Sequence, residues 1–257
     1  MTDSWAEGRI AFITGATSGF GEAIARRILT GGGRVIATGR REERLAALMQ
    51  ITSSDRLFTR MLDIRDESAI LEAIDDLPAP FRDIDLLVNN AGLALGLGKA
   101  PDVRLNDWKT MIDTNVTGLV TVTHAILPGM VARNRGDIIN IASVAASYPY
   151  PGGNVYGATK AFVRQFSLNL RADLLGRKIR VTSVEPGMCE TEFSLVRFGN
   201  PEAAAAVYDG MTPISPDDIA LTIESILRLP AHVNVNTIEL MPVQQAFSPF
   251  AVDRSRT

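Results

Sequence analysis

The sequence predicts an α/β protein, a doubly wound parallel sheet in a single domain spanning residues 1–257. Three observations predict it. Short apolar runs alternate with amphipathic stretches from end to end, the rhythm of βαβ units, and no Pro/Gly/Ser-rich linker, low-complexity tract or repeat interrupts them. The runs are mostly apolar rather than alternating, as strands covered by helices on both faces are. A chain of 257 residues that is 46% hydrophobic also buries roughly 70–75% of its unfolded surface, enough for one core without disulfides or structural metal.

In chain order the strand candidates are Arg9–Thr14, Arg34–Thr38, Leu57–Leu62, Leu86–Asn89, Asp137–Ile141, Arg180–Glu185 and Thr237–Met241. Helix signals fall between them. The amphipathic stretch Glu22–Leu29 ends at Gly31-Gly32-Gly33. Asn200-Pro201-Glu202 and Ser215-Pro216-Asp217-Asp218 each offer a cap, a proline at the first helical position and a carboxylate in the first turn. A tail, 242–257, follows the last strand and holds Phe247 and Phe250; two large aromatics there predict packing at a subunit interface or against the active site.

Composition excludes several functions. With a formal net charge of −3, a pI near 5.5 and no basic block, the footprint of a nucleic-acid binder is missing. No uninterrupted apolar run approaches a membrane span, and the start, Met1-Thr2-Asp3-Ser4-Trp5-Ala6-Glu7, lacks the features of a signal peptide, so a cytoplasmic protein is expected. Cys189, the single cysteine, agrees with a reducing compartment. His124 and His232 belong to no metal spacing and no hydrolase turn, so no metal is expected. Among 26 cationic residues only Lys99, Lys109, Lys160 and Lys178 are lysine.

The first strand runs into Thr14-Gly15-Ala16-Thr17-Ser18-Gly19-Phe20-Gly21 and then directly into a helix. Glycines there let the backbone approach a pyrophosphate, whose charge sits on the free N–H groups of the helix N-terminus. The second strand selects the dinucleotide. Where an NAD-binding sheet places an acid for the ribose 2′-OH, this chain reads Ala37-Thr38-Gly39-Arg40-Arg41. No carboxylate of the strand end repels a 2′-phosphate, and Arg40 and Arg41 can hold one bidentately, so NADP is the expected cofactor. The alternative is that both arginines form a solvated first helical turn.

Tyr156 and Lys160, four apart, share one helix face just after a strand end that carries Ser143. A phenol of pKa near 10 becomes a useful base at neutral pH if about 4 kcal/mol favours the phenolate. One ammonium at ~4 Å supplies about that much at an effective dielectric of 20. This reading makes Tyr156 a general acid/base tuned by Lys160, with Ser143 hydrogen-bonding the reacting oxygen.

Thr14-Gly15-x-x-x-Gly19-x-Gly21, Asn89-Asn90-Ala91-Gly92, Asn115, Ser143, Tyr156-x-x-x-Lys160 and Pro186-Gly187, in this order and spacing, resemble the short-chain dehydrogenase/reductase family over nearly the whole chain. The resemblance implies a Rossmann-type seven-stranded sheet and a homodimer or homotetramer. It implies that Asp63 meets the adenine amino group, that Asn89, Ala91 and Gly92 border the adenosine ribose, that Lys160 binds the nicotinamide ribose, and that Asn115 holds a proton-relay water with Lys160. It also implies that Pro186, Gly187 and Thr191 flank the nicotinamide. Taken singly, Asn115 reads as a helix cap or kink, Asp63 as a turn residue and Ser143 as a loop hydroxyl.

Asn90–Gly96, Pro151–Ala172, the stretch Thr191 to Phe198, Leu229–Asn236 and Glu239 to Val243 resemble the NADP-dependent 3-hydroxy acid (serine) dehydrogenases and sulfoacetaldehyde reductases within that family. The implied substrate is a small acidic aldehyde or alcohol. Between Gly187 and Thr191 the chain is one residue shorter than the serine type, with Glu190 in place of glycine. Arg197, between Val196 and Phe198, is the candidate anchor for the acidic group; otherwise it is an exposed arginine paired with Glu192. A non-catalytic NADP sensor or scaffold on the same fold is the reading of another class.

Overall fold

The computed structural model describes residues 4–50, 55–248 and 251–254. Seven parallel strands form one sheet in the order β3-β2-β1-β4-β5-β6-β7. Their bounds are β1 Ile10–Ile13, β2 Arg34–Gly39, β3 Leu57–Met61, β4 Leu86–Asn89, β5 Gly136–Ile141, β6 Ile179–Pro186 and β7 Thr237–Leu240. All seven strand candidates are therefore present, each within a residue or so of its expected ends.

Among the described residues, nine α-helices connect or cover the strands: α1 Gly19–Thr30, α2 Glu42–Leu48, α3 Glu67–Asp75, α4 Leu105–Ile112, α5 Leu119–Arg133, α6 Asn154–Asp173, α7 Glu192–Phe198, α8 Pro201–Ala206 and α9 Pro216–Leu227. The expected caps are in place. Ser215 and Asp218 form a reciprocal capping box on α9, and Asn200 accepts from the amides of Glu202 and Ala203. After α1, Gly32 takes φ +89°, a conformation glycine adopts without strain.

The apolar strand runs follow from two-sided burial. In β1, Ala11 and Ile13 face the core formed with Ile24 and Ile28 of α1 and Ile219 and Ile223 of α9. Ile10 and Phe12 face the opposite core, with Ile70 of α3, Val122 and Ile126 of α5, and Leu170 of α6. Alternation of the backbone thus feeds two cores, and all four residues of β1 are buried.

Between α4 and α5 the residues Asp113–Gly118 form a π-helical turn, so one continuous helix runs from Leu105 to Arg133. Its 29 residues suffice, by length and composition, to cross a bilayer, a property its sequence did not announce because Asn115, Thr117, Thr121, Thr123 and His124 interrupt the apolar run. Here it packs on the sheet through Val122, Ile126 and Met130.

The tail folds back on its own domain. Gln245, 7% exposed, accepts from the amide of Met188 at 2.8 Å, and the ring of Phe247, itself exposed, lies 6.1 Å from that of Tyr148. Phe250 lies outside the described residues.

Candidate active site

Strand order reverses between β1 and β4, the switch point where open α/β sheets hold ligands at the carboxyl ends of their strands. A cleft of about 460 Å³ opens there, lined by loops that leave β1 through β6. Asn90 closes its floor: its side-chain amide donates to the carbonyls of Thr14 at 2.9 Å and Gly15 at 3.0 Å. The Thr14 hydroxyl accepts in turn from the amides of Asn90 and Ala91, both at 3.0 Å. Asn90 thus fastens the glycine loop to β4.

Gly15, Thr17, Ser18, Gly19 and Phe20 line the cleft. Gly15 at φ +67° and Gly19 at φ +53° need to be glycine for their backbone alone. Gly21 does not face the cleft; a Cβ on it would stand 2.3 Å from the Gly15 carbonyl oxygen, so its task is to let α1 approach the loop. Ser18 caps α1 without a side-chain bond to the helix, which leaves the first-turn N–H groups free of that competitor for a bound anion.

Arg41 reaches back over this loop. Its guanidinium donates to Ser18 Oγ at 2.6 Å and to Thr17 Oγ1 at 3.2 Å, beside the cleft-lining Arg40. The strand end carries no acid, yet the site has one: Glu192, on α7, pairs with Arg41 at 2.6 Å and Arg44 at 3.1 Å. The arginines hold its carboxyl below the usual range although partial burial opposes them. Asp63 lines the cleft, with its carboxylate on Arg65 Nε at 3.0 Å; that bond holds its carboxyl below the usual range. A donor set of two arginines, two hydroxyls and an uncapped helix end fits the phosphates of NADP.

Ser143, Tyr156 and Lys160 converge at the other end of the cleft. Ser143 caps the turn after β5 and accepts from the amide of Ala145. Tyr156, 7% exposed, packs against Phe193 at 5.6 Å between ring centroids. Burial pushes its phenol up, the neighbouring Tyr150 adds to this, and only the hydrogen bond from Ser143 and the charge of Arg197 work against them. The lysine's part differs from the expectation. Lys160 Nζ lies 5.9 Å from the Tyr156 ring centroid and donates to the Ile141 carbonyl at 2.8 Å. Burial pushes the ammonium itself down to about 8. Burial is thus the largest influence on the Tyr156 phenol and holds it above its ordinary range.

Asn115 and Asn89 stand behind the cleft wall. Asn115, in the π-helical turn, accepts from the amide of Leu93 at 2.9 Å and donates to the Leu93 carbonyl at 2.9 Å and Thr159 Oγ1 at 3.0 Å. It joins the Ala91–Gly92 loop to α6, and a Cβ on Gly92 would sit 3.3 Å from both Asn115 Oδ1 and Lys160 Nζ. Asn89 donates to Thr123 and Asn140 deep in the sheet. Pro186, Gly187 and Thr191 line the cleft after β6. Gln245 lines it too; nothing in the tail's sequence distinguished it. Cys189, half-buried, lines the cleft as well, and burial pushes its thiol up.

Arg197 stands at the mouth. Its guanidinium lies 5.4 Å from the Tyr150 ring and 5.6 Å from the Tyr156 ring. It donates to Tyr150 Oη at 2.7 Å and to the Gly96 carbonyl at 3.2 Å. Among the described residues it pairs with no carboxylate; Glu192, the partner considered from sequence, is taken by Arg41 and Arg44.

Comparison with known proteins agrees with this geometry. The short chain dehydrogenase family matches residues 9–198. The chain is 58% identical over 248 residues to the NADP-dependent 3-hydroxy acid dehydrogenase YdfG of Salmonella typhi, covering 96% of this chain and 100% of that protein. It is 58% identical to a serine 3-dehydrogenase of Rhizobium radiobacter, covering 94% and 97%. A sulfoacetaldehyde reductase of Chromohalobacter salexigens is 56% identical, covering 95% and 98%. Among solved structures, the closed form of serine dehydrogenase complexed with NADP+ superposes with a TM-score of 0.90 at 55% identity, covering 92% of this chain and 96% of that one. This chain belongs to the short-chain dehydrogenase family.

Proposed function

We propose that the chain is an NADP(H)-dependent oxidoreductase of the cytoplasm that interconverts a small acidic aldehyde, most simply a short-chain semialdehyde, with its 3-hydroxy acid. The NADP-binding relatives, and Arg40 and Arg41 at the end of β2, support the cofactor. Bound NADPH supplies the hydride for the carbonyl carbon. Ser143 holds the carbonyl oxygen by a hydrogen bond, and Tyr156 gives it a proton. Lys160 binds the nicotinamide ribose, Asp63 the adenine, and Thr191 the carboxamide, as in the family. Asn115 serves through Leu93 and Thr159, holding the cofactor loop against α6. The homodimer or homotetramer usual in the family is expected here.

One observation carries the acidic substrate: the Arg197 guanidinium, which has no carboxylate partner among the described residues, stands 5.6 Å from the Tyr156 ring. A carboxylate held by Arg197 would seat a short-chain aldehyde beside the Tyr156 ring. A sulfonate meets the same fork, and the 56% identity to a sulfoacetaldehyde reductase supports that second reading.

A panel of malonic semialdehyde, sulfoacetaldehyde, serine, 3-hydroxyisobutyrate, isethionate and neutral C3 counterparts, each with NADPH or NADP, tests it. At least one acidic member is expected to exceed its neutral counterpart roughly 100-fold in kcat/KM. Equal turnover of neutral and acidic compounds would overturn the reading.

A further inference from the structure

The Glu192 carboxylate bridges two arginines, Arg41 and Arg44, and Arg41 belongs to the 2′-phosphate site proposed above. Arg41 is the shared group: one side of its guanidinium holds Ser18 and Thr17 of the glycine loop, and the other holds Glu192. Glu192 is not fixed there by its helix alone, since α7 is a seven-residue helix held elsewhere by Thr191 at its cap and by Arg197 at Gly96 and Tyr150. We propose that Glu192 is an internal anion that competes with the cofactor's 2′-phosphate for Arg41, and so sets how strongly the enzyme prefers NADPH to NADH.

The charges decide the direction. Arg41, Arg44 and Glu192 together carry +1, and a phosphate monoester brings roughly −1.5 to −2. NADPH must therefore displace the carboxylate from Arg41 or bind beside it, and either course weakens binding. NADH, with a 2′-hydroxyl, meets no such competitor. The side chains of Arg41 and Glu192 are 39% and 36% exposed, so water and salt screen the effect to a modest size. Removing the Glu192 charge is expected to tighten NADPH about 3- to 10-fold. NADH should change less than about twofold.

This inference rests on the reading of Arg40 and Arg41 as the 2′-phosphate site, and equilibrium titration separates the two. Dissociation constants for NADPH and NADH would be measured by cofactor fluorescence for the wild type, Glu192→Gln, Arg41→Ala and the double variant, at low and high salt. The expected result is that Glu192→Gln lowers the NADPH constant selectively, that the gain shrinks in high salt, and that it vanishes when Arg41 is alanine. If Arg41→Ala erases the NADPH preference but Glu192→Gln leaves the NADPH constant unchanged or raised, the competition is refuted and the phosphate site stands. A gain that survives in the double variant also refutes competition through Arg41. If Arg41→Ala keeps the wild-type preference, the phosphate site falls and the competition with it.

Discussion

Lys160 Nζ donates to the carbonyl oxygen of Ile141 at 2.8 Å, pinning the helix that carries Tyr156 to the last residue of β5, two residues before Ser143. The bond positions the ammonium but does not neutralise it, and the residue is only 5% exposed. Function holds a charge where stability disfavours one.

Lys160→Met should therefore stabilise the protein while abolishing activity. Burial lowers the lysine from 10.5 to about 8. Below pH 8 both the folded and the unfolded chain bind this proton, and the folding penalty, up to about 3 kcal/mol, is fully present. Between about pH 8 and 10.5 the unfolded chain binds more protons, so this part of the penalty is relieved as pH rises. Less the lost hydrogen bond, Lys160→Met should gain about 1–2 kcal/mol at pH 7 in urea unfolding, with the gain fading toward pH 10.

The raised phenol of Tyr156 gives the two directions of reaction different pH dependence. Reduction uses the phenol, which is populated throughout the neutral range. Oxidation uses the phenolate, and its rate should climb roughly tenfold per unit from pH 6 to 8. Steady-state profiles in both directions check this, and an oxidation rate already level by pH 7 would contradict it.

Arg197→Ala should lower kcat/KM for acidic aldehydes about 100-fold and leave neutral ones within about threefold, because only the former lose a charge-assisted bond. Equal losses for both would show that the residue shapes the α7 segment through Gly96 and Tyr150 rather than binding substrate.

Asn115→Ala removes a reciprocal pair of bonds to Leu93 and one to Thr159. The variant should lose about 1–3 kcal/mol of stability. Because this side chain stands against Gly92 and is bonded to Leu93 in the cleft wall, NADPH affinity should fall with kcat, as titration and turnover together would show.

Much of this was legible in the sequence because it depends on local chemistry. Two-sided burial writes itself as apolar runs, so every strand could be placed; Ser215 and Asn200 announce helix starts through their own hydroxyl and amide. Tyr156 and Lys160 share a face by spacing alone. What the sequence hid depends on contacts between distant segments. Glu192 meets Arg41 across 151 positions, and Gln245 meets Met188 across 57. The glycine motif did not reveal that Gly21 serves helix packing while Gly15 and Gly19 serve the cleft. Nor does spacing give a dielectric: the Tyr156–Lys160 pair predicted a lowered phenol, and burial reversed the sign.

In the proposed mechanism Tyr156 delivers and removes the proton of an NADP-dependent reaction. Its most direct test is the turnover of Tyr156→Phe with NADPH and the best acidic aldehyde, measured beside the NADPH dissociation constant. The expected result is a kcat reduced at least roughly 1,000-fold with NADPH binding within about twofold of the wild type. A variant that keeps more than about a tenth of wild-type kcat would contradict it.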